Sequence, residues 1–591
     1  MLRHRTPSCQ STIIPALLSV VVLLLWSRSD ARAQLHCEHK VNVSAVVPGD
    51  ECGGAFKNSP ENAALFAWDS FIALNWPALP GKRDTADTSK LFGSNASPVV
   101  WETMRAKVEI YAGNGNQKVG PHGAVLATQP PYNATNPPDF GYDAPPDYIY
   151  SPINVGSSDG RVGSCAGQTP PSQPAWIPLD ETTQIQVNQT FAGVLPMIDP
   201  SGNNSAPQLI RYMVKANRAL YAYIVQNRYW YKGGLNAAMS NFQAALARGQ
   251  TNDPVAPFVE FPPSVPPTAN ATNAVEVKGA WRPLTDAEKA SNRFHTATIR
   301  YYEPGPNNVI CYREGVWGLV GLHVIQKTPS APWLIWATFE QADNILDQNG
   351  RPIEDVDGNI VSPQATPTTP ALQSDPASPN PTVTFVDPSA PYCTSSGGRL
   401  FFRENPADAG LPSGGNICVN KRWHDIPAHI IKINALAHQA ITTYLRQNGM
   451  SDSPWLYYKL VNVQPVPFDK SEIGAGGVDA ATYYTANAVI ETDYTLGHYS
   501  GRIAPTGAPS DVNPNKTPFS NIRFLPFQGE AAFQKPLNMG GCTGCHASAA
   551  LKGTDFSFSL QQSTVRAPEL PHPFQGAQPM ARDRLLFAPM Q

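Results

Sequence analysis

The sequence predicts an α+β fold, in which a large, loop-rich body precedes a short, mainly helical C-terminal segment. Stretches with helical periodicity and runs of β-branched or aromatic residues occupy separate parts of the chain, as is typical of α+β domains. The 591 residues include 59 prolines and 44 glycines, and only 15% are charged, so long, turn-rich connections are expected.

Four stretches predict helices because apolar residues recur in them at intervals of three and four. Residues 63–79 are expected to form a short buried helix that stops at prolines. Residues 99–111 are helix-like, and residues 209–231 are expected to form one long helix. Residues 426–445 predict a helix with proline in its first turn.

The middle of the chain changes to strand character. Runs rich in β-branched and aromatic residues, bounded by turn-forming residues, predict strands at residues 274–284, 318–327, 333–339 and 453–468. Residues 113–210 have weak periodicity, so long loops with a few short strands are expected there. Residues 361–392, rich in Pro, Ser and Thr, are expected to form a surface insertion.

Residues 1–33 have the order of a bacterial secretory signal peptide. A basic start precedes an apolar run at residues 13–26, and an A-x-A cleavage pattern ends at Ala33. An uncleaved membrane anchor is the alternative, but the run is shorter than the roughly 20 residues that a spanning helix needs. Cleavage predicts a periplasmic or secreted protein without a stable membrane span. Its body occupies residues 34–520, and its C-terminal segment occupies residues 521–591.

Cysteine usage fits export to an oxidising compartment. Cys9 belongs to the signal peptide, and Cys542 and Cys545 belong to a motif described below, so six cysteines remain. An even remainder in an exported protein predicts three disulfides, although six cysteines allow fifteen pairings. Proximity along the chain favours Cys37 with Cys52, Cys393 with Cys418 and, by elimination, Cys165 with Cys311.

The C-terminal segment contains the pattern C-x-x-C-H, formed by Cys542, Cys545 and His546. Two thiols at this spacing can each add to a vinyl group of one haem, and the adjacent histidine then lies under the iron as its proximal ligand. Chance would place the pattern in roughly three of a thousand chains of this composition. The motif therefore predicts one covalent haem c.

Two other interpretations of the motif are weaker. A structural zinc site would need a second Cys/His pair at similar spacing, which the sequence lacks. A redox C-x-x-C usually follows a strand in a βαβ unit, and no such unit is predicted around residue 542.

Together with other segments, the motif resembles a group of large, exported bacterial proteins of the cytochrome c family. The resemblance is carried by AWDSFIALNWPA near residue 67, VEVKGAWRPL near residue 275, GLHVIQKTPSAPWLIWATFEQADN from Gly321 to Asn344, and CTGCHASAALKGTDFSFSL from Cys542. It spans most of the mature chain, apart from the proline-rich insertions, and implies an exported monohaem protein without a known activity. In the group, the position of Gln341 is often histidine, so residue 341 is not an iron ligand here.

A second constellation is polar and lies in the strand region. His323 and Lys327, four positions apart, share one face of a strand, and Glu340 and Asp343 follow in the next segment. If the two strands pair as a hairpin, the residues form a polar site facing the haem, with His323 as distal ligand or acid/base and Glu340 as its partner. The alternative, which we favour on the sequence alone, is a buried ion pair within the sheet.

The tail after His546 offers His572, Met580 and Met590 as sixth ligands of the iron. We expect Met580, because a methionine ligand raises the reduction potential and occupies the sixth coordination position of the iron, as suits an electron carrier. His323 is then expected near the haem edge, and it is the alternative donor from the body.

Three functional classes fit such a chain, and we expect the first: an exported monohaem c-type cytochrome that transfers electrons to or from a redox partner protein. The alternative is a haem-c-dependent oxidoreductase with an open distal site for peroxide, oxygen or a small organic substrate. A binding module with a structural or sensory haem is the third. The size of the chain argues against a simple carrier, which needs only about 80 to 120 residues. A single haem argues against a two-haem peroxidase mechanism. The net charge of −3 gives no basic surface for nucleic acid.

Overall fold

The protein mixes helices and strands around one large β-sheet, so the α+β class is confirmed. The computed structural model describes residues 40–51, 60–111, 138–182, 188–190, 192, 209–247, 259–262, 273–331, 333–344, 352–361, 383–385, 401–403, 417–419, 425–465, 485–491, 542–543, 546, 549, 552–561 and 565–571.

The strands of the described residues form two sheets. The large sheet contains β1 (Arg105–Ala106), β2 (Gly163–Ser164), β3 (Ile177–Leu179), β5 (Arg211–Ala216), β6 (Val275–Pro283), β7 (Thr296–Pro304), β8 (Ile310–Gln326), β9 (Ile335–Gln341) and β13 (Tyr458–Gln464). The small sheet contains β4 (Asn188–Thr190), β10 (Val383–Phe385), β11 (Phe401–Arg403) and β12 (Ile417–Val419), in the order β10-β12-β11-β4.

β8 organises the large sheet because it is long enough to pair along both halves. Its first half pairs with β7 and its second half with β6 and β9, all antiparallel. Neighbouring strands are hydrogen-bonded in the order β1-β5-β6-β8-β7-β3. β9 also pairs with β8, and β13 extends the sheet beyond β9. Only the short strands β2 and β3 pair in parallel among the described strands of this sheet. β8 and β9 pair antiparallel, so the strand regions 318–327 and 333–339 form the hairpin that the polar constellation requires.

The helices of the described residues are mostly short. They are α1 (Pro60–Leu74), α2 (Lys107–Ile110), α3 (Pro152–Val155), α4 (Arg218–Gln226), α5 (Lys232–Ala247), α6 (Asp286–Ala290), α7 (Ala428–Gln447) and α8 (Phe558–Gln561). None of the described helices is long and apolar enough to cross a membrane.

The main hydrophobic core lies between one face of the sheet and the two helices α1 and α7. Phe71 of α1 stacks on Phe339 of β9 with ring centroids 4.3 Å apart. Trp68 of α1 donates a 2.9 Å hydrogen bond to the Asn434 side chain of α7, so the buried indole nitrogen is satisfied. Burial of such aromatic side chains against one sheet face stabilises the fold.

The prediction of one helix over residues 209–231 is wrong in its first part. Residues 211–216 form the strand β5, which is held between β1 and β6. The helix α4 begins only at Arg218, because the Asn217 side chain accepts a hydrogen bond from the Leu220 amide and caps it. Long-range strand pairing has overridden the local helical pattern.

Most of the other predicted helices and strands agree with the structure. The helices expected at residues 63–79 and 426–445 are α1 and α7, and the four predicted strands correspond to β6, β8, β9 and β13. The helix-like stretch 99–111 contains a 3-10 turn at residues 101–103, the strand β1 and the single-turn helix α2. Most of the insertion at residues 361–392 lies outside the described residues.

One of the predicted disulfides, Cys165–Cys311, is present. It joins the residue after β2 to the second residue of β8 across a sequence separation of 146 residues. The side chains of Cys37, Cys52, Cys393 and Cys418 lie outside the described part of the chain. The other two pairings remain predictions.

We expect thiol labelling of the unfolded, unreduced protein to leave Cys165 and Cys311 unmodified, and their peptides to separate only after reduction. Both cysteines are buried, and the predicted export to an oxidising compartment favours a stable disulfide. Peptide mapping by mass spectrometry with and without reductant makes the measurement. Recovery of labelled Cys165 or Cys311 without reductant would contradict the pairing. Two or more labelled thiols per chain would contradict the wider prediction of three disulfides.

A buried charge cluster ties α2 to the rest of the body. Glu109 accepts hydrogen bonds from Arg83 at 2.9 Å and from Arg105 at 2.7 Å, and all three side chains are at most 1% exposed. The Ala106 amide also donates to the Glu109 carboxylate. Burial opposes ionisation of Glu109, but the attraction of Arg83 and Arg105 outweighs it and holds the pKa of this carboxyl well below its usual range.

Candidate functional site

The sheet face opposite α1 and α7 is polar along three neighbouring strands. We call this surface the polar face; it comprises Glu276, Lys278, His323, Ile325, Trp336 and Thr338. Successive side chains of a strand point to opposite faces, so the valines that alternate with these residues face the core. In the register of the sheet, His323 has Lys278 on one side and Thr338 on the other. Ile325 is flanked in the same way by Glu276 and Trp336.

The described residues between 542 and 571, which we call the motif segment, cover the polar face. Ser557 and Ser559 donate hydrogen bonds of 3.0 and 3.1 Å to the two carboxylate oxygens of Glu276. Lys327, at the end of β8, forms a 2.6 Å ion pair with Asp555 whose side chains are 1% and 8% exposed. The segment is therefore attached to the sheet through buried charged groups.

The last described part of the motif segment is fixed to the body as well. The Val565 amide donates to the Tyr111 carbonyl, and the Glu569 amide donates to the Asp180 carbonyl. The Glu569 carboxylate accepts a 2.9 Å hydrogen bond from the Thr182 amide. The motif segment thus packs along the body rather than forming a separate unit.

The beginning of the motif is held by polar contacts. Residues 542, 543, 546 and 549 are helical. Cys542 is buried, and its sulfur lies 2.7 Å from Thr485 Oγ1. Gln464 of β13 donates a 2.8 Å hydrogen bond to Thr543 Oγ1 and accepts one of 3.3 Å from the Thr543 amide. These contacts fix the first turn of the motif against β13.

His546 is held in one orientation by its surroundings. Its Nδ1 lies 2.8 Å from the Phe556 carbonyl oxygen. A carbonyl oxygen only accepts, so Nδ1 carries the proton and the lone pair lies on Nε2. The ring sits between Trp336 and Phe558, with centroids 4.4 and 4.7 Å away. Burial, together with the smaller effect of the Lys278 charge, lowers the pKa of His546 to about 4, and the hydrogen bond to Phe556 opposes this shift.

The backbone that supplies this carbonyl is strained. Asp555 and Phe556 both have left-handed φ angles, of 47° and 66°. Non-glycine residues rarely adopt this region, and consecutive examples persist only where the surroundings enforce them. Here the Asp555 carboxylate is held by Lys327 and by the Phe261 amide at 2.6 Å. The ion pair thereby places the Phe556 carbonyl where it orients His546.

A pocket opens beside His546. Its empty volume is about 270 Å³, including the part open to solvent, and its lining is mainly apolar. Trp336, Ile325 and Glu276 of the polar face line it together with His546 and Phe556 of the motif segment. Burial raises the pKa of Glu276, against the hydrogen bonds from the two serines.

His323 is the buried imidazole of the polar face. Its Nε2 makes no hydrogen bond to any described residue, and the nearby Glu491 Oε1 is 3.5 Å away. Burial lowers the pKa of His323 well below its ordinary value, and the charges of Lys278 and His546 act in the same direction. The ring is therefore neutral at physiological pH. A buried ring nitrogen without a partner costs about 1–3 kcal/mol, so this nitrogen is suited to accept a ligand.

The residues of the predicted polar constellation do not form one site. His323 and Lys327 lie on the same side of the sheet as expected, but Lys327 pairs with Asp555. The Ala488 amide donates to Glu340, whereas the carboxylate beside His323 is that of Glu491. Asp343 forms an ion pair with Arg293. A carboxylate from a distant segment, Glu491, therefore lies beside His323 where Glu340 was predicted.

Several predicted site residues lie outside the described part of the chain. These are Cys545 of the motif and, in the tail, His572, Met580 and Met590. Gln341, excluded as an iron ligand, is buried and donates to the Arg293 carbonyl.

The described residues fit a covalently attached haem at three points. His546 presents an unprotonated Nε2 and uses its other nitrogen in a hydrogen bond to a carbonyl, which is the usual arrangement of an iron-ligating histidine. Cys542 lies four positions before it on a helical turn. The pocket beside the ring is mainly apolar, and Ile325, two positions from His323 on the same strand face, lines it.

Sequence reasoning missed the residues that orient the motif. Phe556 acts through its backbone carbonyl, which carries no side-chain signature. Lys278 and Glu276 could have been predicted from the sequence, because VEVK alternates apolar and polar residues and so places both on one face. The role of Gln464 depends on a contact across 79 positions and has no local signal.

Comparison of the chain with protein-family models, with curated proteins and with solved structures gave no match.

Proposed function

We propose that this chain is an exported, monohaem c-type cytochrome that transfers electrons. The haem is attached through Cys542 and Cys545, and His546 is the proximal ligand. The observation that carries the proposal is the hydrogen bond from His546 Nδ1 to the Phe556 carbonyl, which directs Nε2 of the C-x-x-C-H histidine away from the backbone. The bound haem would supply an iron that cycles between the ferric and ferrous states.

The surroundings of His546 favour electron transfer. Trp336 and Phe558 pack on the imidazole, and an apolar shell around the ligand limits access of water to the metal and stabilises its lower-charged form. A single haem accepts one electron at a time. The large body would then shield the haem and dock the redox partner protein, in the periplasm or outside the cell.

A second function, a haem-c-dependent oxidoreductase, is supported by one specific feature. His323 and Glu491 place an imidazole and a carboxylate 3.5 Å apart on the polar face beside the motif segment. Such a pair can move a proton to or from a bound peroxide, oxygen or small organic substrate. An open distal site distinguishes this function from the first.

We expect the double variant C542S/C545S to lose covalent haem completely. The serine hydroxyls cannot form thioether bonds, so no haem remains on the denatured polypeptide. Haem staining after denaturing electrophoresis and the intact mass of the exported protein make the measurement. Thr543→Ser, which keeps the hydroxyl that contacts Gln464, is the matched control and should retain full haem content. Haem that persists on the denatured double variant would place the attachment elsewhere, and a haem-free wild-type protein would refute the proposal.

A further inference from the structure

We propose that His323, rather than a residue of the tail, provides the second axial ligand of the haem iron. This inference rests on the proposed function, because it needs a haem bound to His546. It assigns to the body of the protein the position that the sequence analysis gave to Met580. Both protein ligands of the iron would then be histidines, one from the motif segment and one from the centre of the sheet.

The placement of His323 is the first argument. It lies on the same face of β8 as Ile325, which lines the pocket together with His546. Trp336, directly across from Ile325, packs on the His546 ring. Residues two positions apart on one strand face are neighbours, so His323 lies one step from groups in contact with the proximal histidine.

The second argument is the state of the His323 side chain. Its Nε2 is buried, makes no hydrogen bond to a described residue and lies 3.5 Å from Glu491 Oε1. Buried polar atoms almost always have a partner, so an exception in a cofactor site indicates a missing ligand. A neutral imidazole nitrogen is a common ligand of iron.

The third argument is the rigidity of the position. β8 is paired with β6 and β9 on either side of His323, through the register positions Lys278 and Thr338. A ligand on the middle strand of a sheet is held in place by the strands that pair with it on either side.

The test uses the full-length, haem-loaded protein and three single variants. The wild-type ferric protein should be low-spin in its optical and electron paramagnetic resonance spectra. In His323→Ala, we expect a conversion to high-spin with an unchanged ratio of haem to protein, and cyanide should bind where the wild-type protein resists it. Met580→Ala should remain low-spin. His429→Ala, which removes a histidine from α7 on the other side of the sheet, is the matched control and should also remain low-spin.

A second variant covers the case in which His323→Ala fails to fold. His323→Met retains a ligand of similar length, so it should stay low-spin while its reduction potential rises above that of the wild-type protein. A haem-bearing His323→Ala protein that remains low-spin would overturn the inference alone. Conversion to high-spin in Met580→Ala would overturn it in favour of the tail. A wild-type protein without covalent haem would overturn the proposed function and the inference together.

Discussion

Replacing Asp555 with alanine is expected to release the motif segment from the sheet. The substitution leaves the Lys327 ammonium, only 1% exposed, without its 2.6 Å partner, and it removes the acceptor of the Phe261 amide. Loss of one partner of a buried ion pair costs about 3–5 kcal/mol. The lost contacts are those that attach the motif segment to the body. Amide hydrogen exchange in residues 552–571 should therefore accelerate more than exchange in the sheet.

Two comparisons separate this effect from a general loss of stability. Lys552→Ala removes an exposed lysine from the same segment and should leave exchange unchanged. The double variant with Lys327→Met and Asp555→Leu removes both charges and should recover part of the lost protection, because no unpaired charge remains buried. Unchanged protection in Asp555→Ala would show that the ion pair does not hold the segment in place.

Replacing Glu109 with glutamine is expected to destabilise the whole protein by about 3–5 kcal/mol. The substitution keeps the shape of the side chain but leaves Arg83 and Arg105 buried without a counter-charge. Asp286→Asn, which removes a fully exposed carboxylate paired with Lys289, is the control and should leave the free energy of unfolding close to that of the wild type. Denaturant unfolding of the three proteins gives the comparison. A Glu109→Gln protein as stable as the control would show that the arginines find other partners.

The same carboxylate predicts how the difference depends on pH. The folded-state pKa of Glu109 is held below its ordinary value of 4.5, so the unfolded chain binds the proton more tightly. The stabilisation is therefore complete above about pH 5 and is lost as the pH falls through the folded-state pKa. The stability gap between wild type and Glu109→Gln should be constant from neutral pH down to about 5 and should shrink in acid. A gap that widens in acid would contradict the sign of the shift.

The sheet could be predicted from the sequence where its strands have two different faces. VEVK in β6 alternates apolar and polar residues, and the pattern has only one register that buries the valines. The sequence of β5 predicts a helix instead of a strand. Because all but one of its residues are buried on both faces, apolar and polar residues do not alternate along it. Lys215 of β5 has its ammonium satisfied by backbone carbonyls of Met104 and Trp176, and no local pattern indicates such partners.

Only the part of the candidate site whose functional residues are close together in the sequence could be predicted. The C-x-x-C-H pattern places two thiols and an imidazole next to one another, so the motif was apparent without a fold. The partners that orient it come from several strands and loops of the body, and they meet only in the folded chain. His323 was singled out because it lies in a strand-like run, but its neighbour Glu491 is 168 positions away and could not be paired with it.

The contacts of the motif segment have a consequence for the order of folding. They join residues 79, 228, 281 and 387 positions apart, so each requires that distant parts of the body already be in place. We therefore expect the segment to dock after β6, β8 and β9 have paired. Once docked, it buries the Cys542 sulfur against Thr485. Any covalent chemistry at that sulfur has to be completed before docking, and the docked state then protects the product.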